Sequence, residues 1–173
     1  MADDIAVRRL DATDLRAYKA LRDEMLEAFP EAFTSDAVSE RQRRADDYLP
    51  RLGLERPEGG HLLLGAFDGE TLIGAIGLER DRREKVRHIG HVIGTMVRAG
   101  RQGHGVGAAL LEAVIAEARG PARLEILTLT VTDGYGAARR LYERYGFVAY
   151  GTLHQAIKVG GRYHAKVHMA LHL

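Results

Sequence analysis

Between residues 61 and 97 the chain lays down three strand-like runs in succession, with no helix-forming stretch among them. Residues 61–67 and 71–79 flank Asp68-Gly69, a dipeptide that favours a tight hairpin turn. Residues 88–97 follow the charged connection Asp81-Arg82-Arg83-Glu84-Lys85, which reads as a solvated hairpin tip. A doubly wound sheet places a helix between its parallel neighbours, so three adjacent strands point instead to a mixed α/β layer. Residues 5–10 alternate as a first strand. Asp11 or Thr13 can cap a helix carrying Leu15, Tyr18, Leu21, Met25 and Leu26, which ends near Pro30. An arginine-rich helix is expected over residues 39–52, and Pro57-Glu58-Gly59-Gly60 breaks the chain. A helix over residues 105–118, a strand over 124–132 and a short helix over 136–145 ending at Gly146 follow. Two closing strands, 149–159 and 162–173, flank Gly160-Gly161. The expected order is β-α-α-β-β-β-α-β-α-β-β.

Arg101-Gln102-Gly103-His104-Gly105-Val106-Gly107 joins the fourth strand to the amphipathic run that begins at Ala108. Three glycines at alternate positions let backbone N–H groups approach a ligand closely. The helix start adds partial positive charge, so the segment is a candidate pyrophosphate cradle. It lacks Gly-Lys-Ser/Thr and is not a triphosphate P-loop. Gly103-His104-Gly105-Val106-Gly107-Ala108 satisfies a relaxed dinucleotide fingerprint, with Asp133 as a possible ribose acid. That motif wants its first glycine directly after the strand, whereas five residues separate Val97 from Gly103.

The 173 residues fit one domain, and 25 basic against 24 acidic side chains argue against a broad nucleic-acid-binding field. The absence of cysteine excludes disulfides, thiolate metal sites and a cysteine nucleophile. Met1-Ala2-Asp3-Asp4 is acidic with no apolar run behind it, and no stretch approaches the length of a membrane span. A soluble, cytoplasmic protein is expected. His164, His168 and His172 alternate with apolar residues on the last strand. Two residues span about 7 Å of strand, so histidines four apart stand too far from one another to share a metal ion.

Two separated segments agree on one family. Gln102-x-x-Gly105-x-Gly107 follows a strand ending Met96-Val97, and Val131 is followed by Ala138-x-x-Leu141-Tyr142-x-x-x-Gly146-Phe147. Together they closely resemble the two signature motifs of the GCN5-related N-acetyltransferase (GNAT) superfamily, and the order of elements agrees over nearly the whole chain. The resemblance implies a strongly bent, seven-stranded mixed sheet with about four helices, splayed between strands 4 and 5. Residues 1–173 then form a single acetyltransferase domain with acetyl-CoA in the splay. The cofactor would be held through Met96 and Val97, through Arg101, Gln102, Gly103, His104, Gly105, Val106, Gly107 and Ala108, and near Tyr135, which stands where the family commonly has asparagine.

The family transfers the acetyl group directly to an acceptor amine. Tyr142 occupies its general-acid position, and a phenol of ordinary pKa near 10 is protonated at neutral pH. Glu79 and His91 are candidate bases for the incoming ammonium, with His88 beside them. The acceptor would be a small-molecule or protein amine, with neither nucleic acid nor membrane as partner and with pairing of two copies through the C-terminal strands. Glu24, Glu27, Glu31 and Asp36 would attract a cationic acceptor, and residues 41–51, rich in arginine, an anionic one. His154, Tyr163 and His164 are further acceptor-side candidates. Phe29-Pro30-Glu31-Ala32-Phe33 and the closing hairpin from Lys158 to His164 also resemble a subgroup of bacterial acetyltransferases with diverse or unassigned acceptors. A non-catalytic acyl-CoA-binding module on the same fold, and a dinucleotide-dependent oxidoreductase, stay open as alternatives.

Overall fold

The computed structural model describes residues 5–56 and 58–173; the acidic start Met1–Asp4 and Pro57 of the expected break lie outside them. Strands β1 (Ile5–Arg9), β2 (Leu62–Asp68), β3 (Thr71–Arg80), β4 (Ile89–Val97), β5 (Ile126–Thr132), β6 (Val148–Val159) and β7 (Arg162–His172) form one sheet in the order β1-β2-β3-β4-β5-β7-β6. The expected meander is there, β1 to β4 pairing antiparallel with their neighbours. Only β4 and β5 run parallel, and they pair over just Ile89–His91 against Ile126–Thr128.

That short pairing has a local cause. Ala75 faces Met96 and Gly77 faces Ile93, so β4 carries one residue more than β3 across this step. Gly94 lies in the bulge at φ +56°, a conformation that glycine adopts without steric cost. A bulge bends and twists its strand. Beyond His91, β4 therefore turns away while β5 stays paired with β7 as far as Thr132. The sheet is splayed where the family resemblance places the opening.

Helices α1 (Leu15–Ala28), α2 (Ala37–Arg41), α3 (Val106–Arg119) and α4 (Gly136–Arg144) cover the two faces. Leu110, Leu111 and Val114 of α3 pack with Ile76, Leu127, Leu129 and Val131 on one side. On the other, Leu15, Tyr18, Leu21 and Met25 of α1 pack with Leu63, Ala75 and Met96. Alternation along β5 thus sends Leu127, Leu129 and Val131 toward α3, and Thr128, Thr130 and Thr132 toward α1. Gly74 allows α3 to sit against the sheet: a Cβ there would lie 2.9 Å from Val106 Cγ1 and 3.0 Å from the Met96 carbonyl.

One expected element is corrected. Residues 39–52 are not a single helix but the short α2 followed by a 3-10 segment, Ala45–Leu52. The Asp36 side chain accepts from Ser39 N at 2.8 Å and starts α2 earlier. The Arg44 N–H donates to Asp47 Oδ2 at 2.7 Å from an extended backbone, which restarts the chain as a new turn. Pro50 then denies an α ladder its N–H. The 3-10 segment wraps Tyr48 against Tyr18 of α1, ring centroids 5.3 Å apart and edge to face.

Candidate functional site

Where β4 and β5 part, a cleft of about 690 Å³ opens between the faces of the sheet. Val92–Thr95 and Leu129–Thr132 form its strand walls, α4 its floor, and α1 with the loop that follows it the opposite side. A broader depression of about 930 Å³ lies just past the C-terminal end of β3, lined largely by charged residues such as Arg56, Glu58 and Arg80. Those residues are tied to one another and to local carbonyls: Arg56 Nε donates to Glu58 Oε1 at 2.6 Å, and Arg80 Nη1 to the Glu58 carbonyl at 2.8 Å. The motifs read from the sequence gather at the first cleft instead.

The glycine segment enters α3 through two left-handed residues, Gly103 at φ +80° and Gly105 at φ +83°. Among the described residues no side chain caps the helix. Among the described residues the N–H groups of residues 103–108 meet no backbone acceptor, so this turn presents a row of donors at a positive helix end. A Cβ at Gly103 or Gly105 would meet nothing within 4 Å, so the space in front of the turn is open. Gly107 serves packing, since its Cβ would stand 3.2 Å from Leu141 of α4. Gln102 ties the turn back to β4 by donating from Nε2 to the Val97 carbonyl at 3.2 Å, and His104 Nδ1 donates to the Gln102 carbonyl at 2.9 Å.

Of the expected cofactor residues, Val97, Gln102, Gly103, Gly105, Gly107, Ala108 and Tyr135 line the cleft. Met96 and Val106 bury their side chains in the two opposite cores, which leaves their backbone as the part available to a ligand. Arg101 pairs with Asp68 of β2, and the His104 side chain is exposed.

Tyr142 enters the cleft from α4, is 6% exposed, and packs edge-on against Phe147 with centroids 6.0 Å apart. Burial pushes its phenol above the ordinary value, an effect partly offset by the Thr95 side chain on the β4 bulge. The group is therefore a protonated acid across the neutral range. Glu79 lines the cleft from the end of β3, directly across the ladder from His91. His91 is exposed, with Nδ1 hydrogen-bonded to Thr128 Oγ1 at 2.6 Å, and does not line the cleft. The hydroxyl of Tyr135 donates to Glu31 Oε2 at 3.3 Å, and Thr132 Oγ1 donates to the Glu31 carbonyl at 2.7 Å. The residue at the family's asparagine position thus anchors the loop after α1. His154, Tyr163 and His164 lie on the closing hairpin away from the cleft lining.

Several residues that shape the cleft escaped the sequence reading. Thr95 carries no motif signal. Arg22 lies on α1 and lines the cleft while its Nε donates to Glu40 Oε2 at 2.5 Å; both side chains are buried. Tyr48 donates to the same carboxylate at 2.6 Å. Burial pushes Glu40 up, but the bonds from Tyr48 and Arg22 outweigh it and hold the carboxyl below its ordinary range. Burial and the Glu40 bond push the Tyr48 phenol up to about 12. Lys166 lines the far wall, its Nζ donating to Thr34 Oγ1 at 3.2 Å. Strand alternation was the one signal available for it: Val167 and Met169 face the core, so Lys166 faces the other way.

The sequence model of the acetyltransferase (GNAT) family matches residues 18–147. An acetyltransferase of the GNAT family from Streptococcus pneumoniae superposes with TM-score 0.81 at 22% identity, over 98% of this chain and 100% of its own. The yncA protein of Salmonella typhimurium, solved with its cofactor acetyl-CoA, superposes with TM-score 0.83 at 20% identity, over 98% and 94%. A ribosomal-protein-alanine N-acetyltransferase from Brucella melitensis gives TM-score 0.78 at 23% identity, over 97% and 99%. At these identities the superpositions establish a shared fold.

Proposed function

The chain belongs to the acetyltransferase (GNAT) family, and from that premise we propose that it moves an acetyl group from acetyl-CoA directly onto a primary amine. The observation that carries this reading is the pairing, in one cleft, of a buried protonated tyrosine with an uncapped glycine turn at a helix start. The residues fit such a donor. The open N–H groups of residues 103–108 suit a pyrophosphate, and the edge of β4 beyond His91, unpaired with β5, suits an extended arm that adds as a strand.

Bound there, acetyl-CoA supplies an activated carbonyl and a thiolate leaving group. Backbone donors of β4 around Val97 polarise the carbonyl oxygen. The amine nitrogen attacks as its C–N bond forms and the C–S bond breaks. Tyr142 gives its proton to the departing sulfur. An alkylammonium, of pKa near 10, must lose a proton before attack. Glu79, on the cleft wall, takes it directly or through water; His91, across the ladder, is the second candidate. The chain acts as a single cytoplasmic domain on a small-molecule or protein amine. No helix among the described residues is long and apolar enough to cross a membrane. Two copies pair through β6 and β7, whose Val148, Tyr150, Leu153 and Tyr163 are exposed.

A thermal-shift titration with acetyl-CoA, CoA and NADH in parallel tests the donor. A ligand at 100 times its dissociation constant adds about 2.7 kcal/mol, well within detection. Stabilisation by acetyl-CoA and CoA, followed by CoA release with an amine panel, is expected. Stabilisation by NADH alone would return the glycine turn to the dinucleotide reading. Binding without transfer to any amine would leave an acyl-CoA-binding module.

A further inference from the structure

The side chains that line the cleft are not balanced in charge. Among the described residues, Arg22, Arg51, Arg144 and Lys166 face a single carboxylate, Glu79. Arg22 is neutralised by Glu40. Arg51 and Lys166 are different: each is partly buried, and among the described residues neither forms an ion pair. Arg51 Nη1 donates to the Tyr18 hydroxyl at 3.0 Å, with its guanidinium 5.4 Å from the Tyr48 ring centre, and Lys166 Nζ donates to the Thr34 hydroxyl. Cations sheltered from water without a counter-charge are costly, and burial indeed pulls the Lys166 amine below its ordinary value.

The phosphates of the donor do not account for them. The glycine turn opens α3, which packs on one face of the sheet. Arg51 comes from the 3-10 segment that packs with α1 on the other face, and Lys166 pairs in register with Thr132, on the α1 side of β5. Both cations therefore belong to the half of the cleft that an acceptor would enter.

Building on the acetyl-transfer reading, we propose that the acceptor is a small amine that also carries a carboxylate or similar oxyanion, bound by Arg51 and Lys166. Glu79 then faces the ammonium end of the same molecule, so the cleft matches a zwitterion. A polyamine would bring two or more cations to a wall that already holds several.

The test uses the protein saturated with CoA, which binds acceptor without turnover. Thermal shift is read with L-alanine, L-glutamine and L-phenylalanine, each beside its α-carboxamide, with 2-aminoethylphosphonate beside ethanolamine, and with spermidine. Each anionic probe should bind at least about tenfold tighter than its neutral partner, the scale of a hydrogen bond to a charged group. Lys166→Met and Arg51→Met should each bring that ratio toward one, and Lys166→Arg should keep it. An undiminished CoA shift confirms that each variant is folded. Equal or tighter binding of the amides or spermidine, no binding of any probe, or a ratio that survives both methionine substitutions would overturn the proposal. Failure of CoA itself to stabilise the protein would instead remove the acetyl-transfer reading, and this proposal with it.

Discussion

Burial pushes the pKa of both Tyr142 and Glu40 up, and their hydrogen-bond partners decide the different outcomes. Tyr142 is desolvated and stays a neutral donor, the form a general acid requires. Tyr142→Phe should lower kcat by about 100-fold while CoA affinity changes little, measured by CoA release and by CoA titration. Equal turnover would remove Tyr142 from the acid role. Glu40 is held ionised between Arg22 and Tyr48. Glu40→Gln leaves the buried Arg22 without its counter-charge and should cost about 3 kcal/mol in urea unfolding at pH 7. The Glu40 pKa is depressed in the folded state, so its contribution is full above the unfolded value and is lost as pH falls through the folded one. The gap between wild type and Glu40→Gln should therefore narrow below about pH 4.

At the level of elements, glycines decide how closely α3 and the sheet approach. Gly74 and Gly105 were both present in the sequence, yet they do different things. A methyl at Gly74 collides with Val106 and with backbone at Met96, so α3 must lift from β3 and β4. Gly74→Ala should destabilise by about 1–3 kcal/mol and weaken CoA binding along with it, since the same helix start carries the N–H donors. A methyl at Gly105 meets no atom but must adopt φ +83°. Gly105→Ala should cost only about 1 kcal/mol, yet weaken CoA binding at least as much as Gly74→Ala, because the new group stands in the open space before the turn. Thermal melts with and without CoA separate the two effects. Residues 39–52, expected as one arginine-rich helix, take their actual turns from the side chains of Asp36 and Asp47 and the ring of Pro50.

For the whole molecule, the sheet ends on a long edge strand whose side chains are largely exposed. Val148 and Tyr150 are 69% and 64% exposed. The register breaks of β6 near Ala149 and Leu153 limit open-ended strand addition, while the apolar patch they leave suits one closed contact. The proposed homodimer predicts that Tyr150→Lys with Leu153→Lys elutes as a monomer in size-exclusion chromatography with light scattering, with an unchanged CoA shift. An unaltered dimer would place the contact elsewhere.

The sequence by itself determined the order of elements, the single mixed sheet, the glycine turn before α3 and the tyrosine of α4. These depend on local periodicity, turn chemistry and short motifs, which neighbouring residues encode. Tyr142 was legible because its motif spacing is local. Lys166 and Thr95 were not, because their significance lies in contacts between segments far apart in the chain: Lys166 with Thr34, and Thr95 with Tyr142. The sequence also left undecided whether acidic or basic side chains line the cleft between β4 and β5. Only the tertiary structure decided that, because Arg22 is matched by a buried Glu40 while Arg51 and Lys166 are left to face the cleft. Charge balance at a site is a sum over side chains brought together by folding, and no stretch of local sequence contains it.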